Sequence, residues 1–349
     1  MTKTIEITDL LNSTDLEHSV LIGYYGGGNY GDEFLLEMLG NLFVKRGLHD
    51  IAITYQDPKN YKVFHHDFGF PLVPMYDKKA LLQAILKRKN IIIGGGGLWG
   101  LNFNFNVLLL SLCLFFSRWL LGKKVYLLGV GYYNSTSWLG HIGAFLAGKA
   151  ASTILARDKE SVRNFQKINR RTYATNDLAL YVDKVDPDTY AADVARLERQ
   201  FPIAGKTLFF TLRKLKGYYD LTGTCIANNP DKPILAGLLV PAKVRPDGYA
   251  LLESWQKEHD NVRIFDLTFN PLALFYFFRA HRKQLILIGP QYHIILTAHL
   301  NGIPFLPIQY DNKVGQLLDQ LKDTRERLPI AKLTPEKIQA FIDTTFGRA

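Results

Sequence analysis

Residues 20–43 read VLIGYYGGGNYGDEFLLEMLGNLF, and they indicate the fold class more clearly than any other stretch. An apolar run leads into glycines, and a run with helical spacing of apolar residues follows them. A strand that breaks into glycines and then begins a helix is typical of a βα unit. The spacing of Gly26, Gly28 and Gly31 also fits the dinucleotide-binding fingerprint. The sequence therefore raises the question whether this turn binds a nucleotide, another phosphate or no ligand.

The same pattern recurs along the chain. In the first half, apolar strands followed by turn residues and a helix are predicted at 51–55, 90–97, 124–131 and 152–158. After a polar segment, strands are predicted at 206–214, 261–267, 284–289 and 303–310. The run KPILAGLLVPAK, residues 232–243, is expected to contain or follow a helix. Uninterrupted apolar strands that alternate with helices predict parallel sheets covered on both faces.

We therefore predict an α/β protein with two tandem Rossmann-like domains that face a central cleft. The predicted parts are an N-terminal domain at 1–182, a linker with one helix at 183–205, a C-terminal domain at 206–330 and a terminal helix at 331–349. In open sheets of this kind, ligands bind outside the carboxyl ends of the strands. Candidate residues are therefore sought where strands end.

Composition bounds the kind of partner. The 349 residues include 42 Lys and Arg against 32 Asp and Glu, which gives a net charge of +10. Such a balance favours phosphorylated substrates, an anionic membrane surface or nucleic acid. The basic residues are spread along the chain and no RNA-binding signature occurs, so nucleic acid is disfavoured as a partner.

Two cysteines, Cys113 and Cys225, lie far apart without metal-ligand spacing, and no HExxH or CxxC motif occurs. We therefore predict no metal site, and we interpret both cysteines as reduced thiols of a cytoplasmic protein. The longest apolar run, VLLLSLCLFF at 107–116, is too short to span a bilayer comfortably. It predicts either a buried helix or a face that contacts the inner membrane surface, with help from Arg118, Lys123 and Lys124.

Several strands of the first half end in glycine-rich turns. Glycine permits positive φ and carries no Cβ, so a ligand can approach the backbone, and free N–H groups at a helix start can hold an anion. The alternative is that these glycines only make tight turns. The candidate turn residues are Gly26, Gly27, Gly28, Asn29, Gly31, Gly95, Gly96, Gly97 and Gly131.

The dinucleotide interpretation of the first turn is disfavoured by its flanking charges. Asp32 and Glu33 follow the last glycine in the first turn of the predicted helix. Acidic side chains there suit the helix dipole, but they would crowd a pyrophosphate. The acid that this fingerprint requires about 20 residues further on is matched only by Asp57, which comes late. The first turn is better explained by another anionic ligand than by NAD(P).

The second half offers a histidine and an arginine at strand ends. His293 falls in the first turn of the helix after Gly289-Pro290, where it can give or take a proton beside a phosphate or carboxylate. Arg213 ends a predicted strand, and its guanidinium can clamp such a group with two hydrogen bonds. Arg157 ends a strand of the first half in the same manner, and Asp177 lies just before the linker. The alternatives are a capping histidine and a surface arginine.

Together these pieces resemble the polysaccharide pyruvyl transferase family, which includes the cell-surface-anchoring pyruvyl transferases of bacterial walls. The resemblance covers about residues 20–320, in family order. Its pieces are GYYGGGNYGDEFLL, IIIGGGGLWG, LLGVGYY, ARDKES, TNDLAL, FFTLR and YHIILTAHLNGIPFLPIQYDNKV. Each piece alone is weak, whereas the ordered set is fairly specific.

The resemblance implies a GT-B-like fold and transfer of a pyruvyl group from phosphoenolpyruvate to two hydroxyls of one sugar. It implies phosphoenolpyruvate as co-substrate without a further cofactor, and a glycan or lipid-linked sugar as acceptor. His293 would lie near the donor and act as the acid, and Arg213 would hold the donor phosphate or carboxylate. Asp32 or Asp177 would accept the proton of the attacking hydroxyl.

The chain departs from the family where an R-L-H-like stretch is typical. Gln291 and Tyr292 stand there before His293 and are the predicted donor-binding residues at these positions. Glutamine offers hydrogen bonds but no charge, so a donor-binding cation is missing, and Arg279, Arg282 and Arg157 are the candidates to replace it. Two alternatives therefore stay open. One is a glycosyltransferase with a nucleotide-sugar donor, for which Asp311 is a candidate ribose ligand. The other is a non-catalytic relative that binds glycan.

Overall fold

The computed structural model describes residues 3–101, 104–135, 137–203, 205–265, 269–310, 312–323 and 328–347. The chain forms two compact units, which confirms the predicted pair of α/β domains. The first unit comprises Met1–Gly27 and Asp32–Val185. The second comprises Gly28–Gly31 and Asp186–Ala349, so four residues of the first glycine-rich turn belong to it.

Parallel strands form the sheets of the first unit. The strands are β1 (Ser19–Ile22), β2 (Ile51–Tyr55), β3 (Leu72–Pro74), β4 (Asn90–Gly94), β5 (Trp99–Leu101), β6 (Lys124–Val130), β7 (Tyr132–Ser135), β8 (Thr153–Ala156) and β9 (Thr172–Ala174). Over the described ranges, the main sheet has the order β3-β2-β1-β4-β6-β8-β9, and β5 pairs with β7. Every residue of β1, β2 and β4 is buried, as expected for strands covered on both faces.

Helices connect these strands. They are α1 (Ile7–Ser13), α2 (Tyr30–Lys45), α3 (Tyr61–Phe64), α4 (Lys78–Lys87), α5 (Phe105–Trp119), α6 (Trp138–Ala150) and α7 (Lys159–Gln166). Buried residues of α4, α5 and α6 join one core cluster on one face of the sheet; they include Ile85, Leu114 and Ala144. Within the ranges described above, no helix is both long and apolar enough to cross a membrane.

The second unit has the same architecture. Its strands are β10 (Thr207–Leu212), β11 (Ile234–Leu238), β12 (Val262–Ile264), β13 (Leu285–Gly289), β14 (Phe305–Gln309) and β15 (Leu328–Pro329). They pair in parallel in the order β12-β11-β10-β13-β14-β15. Its helices are α8 (Ala191–Gln200), α9 (Tyr218–Ala227), α10 (Pro246–Glu258), α11 (Pro271–Ala280), α12 (Tyr292–Asn301), α13 (Asn312–Gln320) and α14 (Pro335–Gly347).

Two features of the second half go beyond the sequence predictions. The run 232–243 follows helix α9, which is one of the two predicted arrangements, but its centre forms strand β11, which was not predicted and whose Ile234 pairs with Leu208 of β10. An apolar run of this length fits a buried strand and a buried helix equally well, so its pattern does not identify the strand. Helix α8 is also not a linker element, since it belongs to the second unit and packs on α11 there.

Both sheets reverse their strand order at one point. The chain leaves β1 to one side and returns to β4 on the other, and it does the same at β10 and β13. Such a switch point separates the following loops and opens a crevice at the carboxyl end of the sheet. The switch points are followed by Gly23–Gly27 and Gly94–Gly97 in the first unit, and by Arg213 and Gln291–His293 in the second.

Candidate active-site residues at the two switch points

The imidazole of His293 lies in the first turn of α12, where the sequence predicted it, and it is half-buried. Within the second unit it packs directly against Gly31, where an added Cβ would fall well inside van der Waals contact with its Nδ1. The ring of Tyr292 approaches the imidazole edge to face, with centroids 5.0 Å apart. A glycine at position 31 therefore makes room for the histidine.

The segment before Gly31 is fixed by polar contacts of the second unit. The backbone N–H of Tyr30 donates to the carbonyl oxygen of Leu239 at 3.1 Å, and its hydroxyl lies 2.9 Å from Oγ1 of Thr297. Burial raises the pKa of Tyr30, and the bond to Thr297 only partly offsets this effect. Oδ1 of Asn29 accepts the N–H of Gly31 at 3.2 Å, in the manner of an N-terminal cap.

Gln291 bridges the switch point of the second sheet. Its Oε1 accepts the hydroxyl of Thr211, and its Nε2 donates to the carbonyl oxygen of Leu212 at 2.7 Å. The residue is only 7% exposed. Gln291, which was predicted to bind the donor substrate, therefore uses both its amide oxygen and its amide nitrogen in hydrogen bonds to β10. These bonds hold the ends of β10 and β13 together.

Arg213 is the exposed cation at the same edge of the sheet. Its Cζ lies 4.3 Å from the ring centroid of Tyr310, which follows β14. The side chain is thus held by a cation–π contact over the end of β14, which lies two strands away from β10 in the sheet. Lys214, the next residue, forms an exposed ion pair with Asp247 at 2.7 Å. The structure therefore places a guanidinium and a histidine after two adjacent strands.

In the first unit, packing explains most of the predicted glycines. An added Cβ at Gly26 would come within 2.6 Å of the Tyr55 ring, and one at Gly95 within 2.6 Å of Leu35. An added Cβ at Gly27 would come within 3.0 Å of Gln56, and one at Gly131 within 2.8 Å of Tyr133. These four positions are filled by protein atoms, so the tight-turn alternative accounts for them.

Gly96 differs from these glycines. Its φ is +84°, and an added Cβ would meet nothing closer than Oδ1 of Asp32 at 3.8 Å. Gly28 also has a positive φ, of 72°, and Gly97 is exposed. Asp32 itself is half-buried in the first turn of α2. The open side of Gly96 beside this carboxylate is the place where a ligand can approach the backbone.

Tyr25 bridges the switch point of the first sheet, as Gln291 does in the second. Its hydroxyl donates to the carbonyl oxygen of Gly94 at 2.5 Å and is buried. Burial, together with the negative charges of Asp32 and Glu33, raises the pKa of Tyr25 well above its ordinary value. This phenol is therefore a neutral structural donor.

A buried Glu–His–Glu cluster supports the first glycine turn, and it was not among the predicted site residues. His65 lies between two residues of α2, with Nε2 2.7 Å from Glu33 and Nδ1 2.8 Å from Glu37. Glu33 also accepts the N–H of Gly26 at 2.9 Å. Burial alone would lower the pKa of His65, but bonds and charges of the two carboxylates outweigh it and raise the pKa to about 9. The cluster therefore fixes the turn through a protonated imidazole.

Arg157 and Asp177 pair with each other inside the first unit. Nη1 of Arg157 lies 3.0 Å from Oδ2 of Asp177, and Nη2 donates to the hydroxyl of Tyr133 at 3.0 Å. Oδ1 of Asp177 accepts the N–H of Ala179 at 3.0 Å. Exposure of the two charged residues is 5% and 1%. This burial argues against the predicted roles of Arg157 as a donor ligand and Asp177 as a base, and it gives both residues a place in the core.

No group of three or more His, Cys, Asp or Glu side chains arranged to hold a metal ion is present among the described residues. Asp311, the candidate ribose ligand of a nucleotide-sugar enzyme, lies outside these residues.

Comparison with known proteins bears on the family and the fold. The model of the polysaccharide pyruvyl transferase family matches residues 29–312. No curated protein matches the sequence significantly.

Several solved structures share the fold. HepE from Anabaena in complex with UDP-glucose aligns with a TM-score of 0.60 at 13% identity, over 94% of this chain and 89% of that one. UDP-N-acetylglucosamine 2-epimerase from Rickettsia bellii aligns with a TM-score of 0.60 at 11% identity, over 94% and 88%. The corresponding enzyme from Neisseria meningitidis, bound to UDP-GlcNAc, gives 0.52 at 14% identity, over 93% and 91%. These are GT-B fold enzymes, and the likeness confirms the predicted fold class.

Proposed function

This chain belongs to the polysaccharide pyruvyl transferase family, and we propose that it moves a pyruvyl group from phosphoenolpyruvate to two hydroxyls of one sugar in a cell-surface or exopolysaccharide precursor. The observation that carries this proposal is that Arg213 and His293 both follow strands that are adjacent in the second sheet, β10 and β13. These adjacent strands flank the switch point, where open α/β sheets bind their ligands.

The chemistry of the donor suits these two residues. Phosphoenolpyruvate carries a phosphate and a carboxylate, and an exposed guanidinium can bind either group with two parallel hydrogen bonds. The cation–π contact with Tyr310 orients the guanidinium before a ligand arrives. The N-terminus of α12 adds backbone N–H groups and a favourable dipole for an anion beside His293.

The proposed reaction uses few groups. His293 protonates the methylene carbon of the donor, which makes C2 electrophilic. One sugar hydroxyl attacks C2 and loses its proton to a base, the C–O bond to phosphate breaks, and the second hydroxyl closes the cyclic ketal. The two sugar hydroxyls release two protons. One of them restores the proton that His293 gave to the methylene carbon, and the other leaves with phosphate, so the reaction needs no oxidant or further cofactor.

We assign Asp32 as the base. Its carboxylate is half-buried beside the open side of Gly96 in the first unit, where a ligand can approach the backbone. A carboxylate within hydrogen-bond reach of a bound hydroxyl can act as its general base. Asp177 is not proposed for this role, because its buried pair with Arg157 is already satisfied.

A second candidate function is a glycan-binding relative without transfer activity. It is favoured by the geometry of Gln291, which faces β10 where the family typically has an arginine beside the donor. On this interpretation the chain keeps the fold and the acceptor site, but a cation of the donor site has been lost.

Calorimetric titration with phosphoenolpyruvate separates the two functions. Wild-type protein is expected to bind, Arg213→Ala to bind about tenfold or more weakly, and His293→Ala to retain most of the affinity while losing phosphate release with candidate acceptors. Arg199→Ala and His259→Ala are matched controls in the second unit, with an exposed arginine and a half-buried histidine. UDP-glucose and NADH serve as control ligands.

The outcomes differ clearly. Binding of phosphoenolpyruvate that depends on Arg213 supports the transferase. Binding of UDP-glucose instead would overturn it in favour of a nucleotide-sugar enzyme. Absence of donor binding in the presence and absence of candidate sugars would support the glycan-binding relative.

A further inference from the structure

The outer surface of helices α5 and α6 carries an unusually large set of exposed apolar side chains. Its main members are between 48% and 69% exposed, and they are Phe105, Leu109, Phe116, Trp119, Trp138 and Phe145. We call this surface the α5–α6 face. Monomeric soluble proteins seldom expose a contiguous apolar patch with two tryptophans unless it binds something.

The exposed residues of each helix form one stripe. In α5 they recur at intervals of four, seven and three residues, which is the spacing of a single helical face. In α6, Trp138, Ile142, Phe145 and Lys149 follow the same rule. The opposite sides of both helices are buried, with Leu114 in α5 and glycine and alanine residues in α6. Each stripe therefore points away from the core.

The two stripes belong to one surface. Helices α5 and α6 cover the same sheet face, since their buried residues join one core cluster. They also pack on each other, since a Cβ added at Gly143 of α6 would be in van der Waals contact with Ser111 and Leu108 of α5. Two adjacent helices on one side of a sheet present their outer sides in the same direction.

Charge around this face has one sign. No Asp or Glu occurs between Asp77 and Asp158, whereas the same stretch holds ten basic residues. Two of them, Arg88 and Arg157, form ion pairs with Asp50 and Asp177 and add no net charge to this face. The remaining eight are Lys78, Lys79, Lys87, Lys89, Arg118, Lys123, Lys124 and Lys149. Such an arrangement complements an anionic surface.

Several of these lysines lie beside the apolar residues. Nζ of Lys123 donates to the carbonyl oxygen of Leu86 at 2.8 Å, so the turn after α5 contacts the end of α4. Lys89 and Lys124 are exposed and joined there by a backbone hydrogen bond of 3.3 Å. At this end Leu120 is 75% exposed. Nζ of Lys149 lies 5.5 Å from the ring centroid of Phe145.

We propose that the α5–α6 face with its flanking lysines is a docking surface for an anionic lipid bilayer, in whose interface the helices lie flat. Tryptophan favours the headgroup level, and lysines bind acidic headgroups while the leucines and phenylalanines enter the acyl boundary. A second copy of this chain is the weaker occupant, because a two-fold contact would set the same lysines against each other without acidic partners. The proposal stands independently of pyruvyl transfer.

Co-sedimentation with vesicles tests the proposal on the full chain. The probes are vesicles of pure phosphatidylcholine and vesicles of equal parts phosphatidylcholine and phosphatidylglycerol, which contain no glycan. The protein is expected to sediment with the anionic vesicles and to bind the neutral ones about tenfold or more weakly. High salt is expected to release most of it.

Two double variants separate the apolar and the charged contributions. Trp119→Ser with Trp138→Ser, and separately Lys87→Glu with Lys124→Glu, are each expected to weaken binding about tenfold or more. The matched controls are Val244→Ser, at an apolar residue as exposed as Leu109, and Lys257→Glu, at an exposed lysine of the second unit. All of these side chains are exposed, and unchanged thermal unfolding verifies that each variant folds.

Three results would overturn the proposal. One is absence of binding to anionic vesicles. Another is binding that both double variants retain at wild-type strength. The third is a dimer in sedimentation velocity that the Trp119→Ser, Trp138→Ser variant disperses while vesicles capture neither protein, which would assign the face to self-association.

Discussion

The imidazole of His293 packs directly against Gly31 and occupies the volume that a side chain at position 31 would need. The contact lies within the second unit, to which the segment Gly28–Gly31 belongs. It places His293, the proposed acid, directly against the end of the first glycine-rich turn. The turn therefore serves to position a side chain of the proposed donor site.

Gly31→Ala should reveal this contact. The new Cβ displaces the imidazole, and we expect a loss of about 1–3 kcal/mol in the free energy of unfolding, typical of overpacking. The double variant Gly31→Ala with His293→Ala should recover most of that loss. Gly205→Ala, where nothing lies within 4 Å, is the control and should change stability little. Strict additivity of the two changes in chemical denaturation would refute the contact.

Gln291→Leu is expected to destabilise the second unit. The variant keeps a similar size but leaves the carbonyl oxygen of Leu212 and the hydroxyl of Thr211 without their buried partner. The expected cost is about 1–3 kcal/mol, measured by urea denaturation. Gln256→Leu, at an exposed position of α10, serves as the comparison. An equal effect of the two substitutions would mean that the bridge contributes nothing.

The Glu33–His65–Glu37 cluster predicts a dependence of stability on pH. The pKa of His65 is raised from about 6.5 unfolded to about 9 folded, so its contribution is complete below pH 6.5 and is lost as pH rises towards 9. Over this window the free energy of unfolding should fall by as much as about 3 kcal/mol. In His65→Gln the fall over the same window should be much smaller. An identical slope in both proteins would show that the imidazole is neutral in the fold.

Asp177→Asn should act mainly on stability. It leaves the guanidinium of Arg157 buried opposite a neutral amide, and the expected loss is about 3–5 kcal/mol. Asp247→Asn removes an ion pair of similar length to Lys214, but that pair is exposed and its loss should change stability little. Thermal unfolding of both variants checks this difference. A fully stable Asp177→Asn protein without transferase activity would restore the catalytic role that the sequence suggested.

Sequence patterns predicted the architecture well, because strands that are buried on both faces appear in the sequence as continuous apolar runs. The strands around 51–55, 124–131 and 284–289 are continuous apolar runs, and a parallel sheet requires that. Strand β11 was missed because its run ILAGL carries no period that separates strand from helix. Family resemblance came from ordered short motifs and is confirmed by the family match.

The functions of individual residues were harder to predict. The sequence does not distinguish a glycine that leaves space for a ligand from one that leaves space for a neighbouring side chain. Gly26 leaves space for the ring of Tyr55. Arg157 and Asp177 each follow a strand, but only the fold shows that they meet and neutralise each other. His65 lies in irregular sequence, whereas Glu33 and Glu37 on one face of an apolar helix were a signal that could have been noticed.

Titration of Arg213→Ala with phosphoenolpyruvate is the decisive experiment for donor binding at the second switch point. We expect wild-type protein and Arg199→Ala to bind with equal affinity, and Arg213→Ala to bind about tenfold or more weakly. Equal affinity of all three proteins for phosphoenolpyruvate would contradict the assignment of the donor site, and absence of binding by the wild type would contradict the proposed reaction itself.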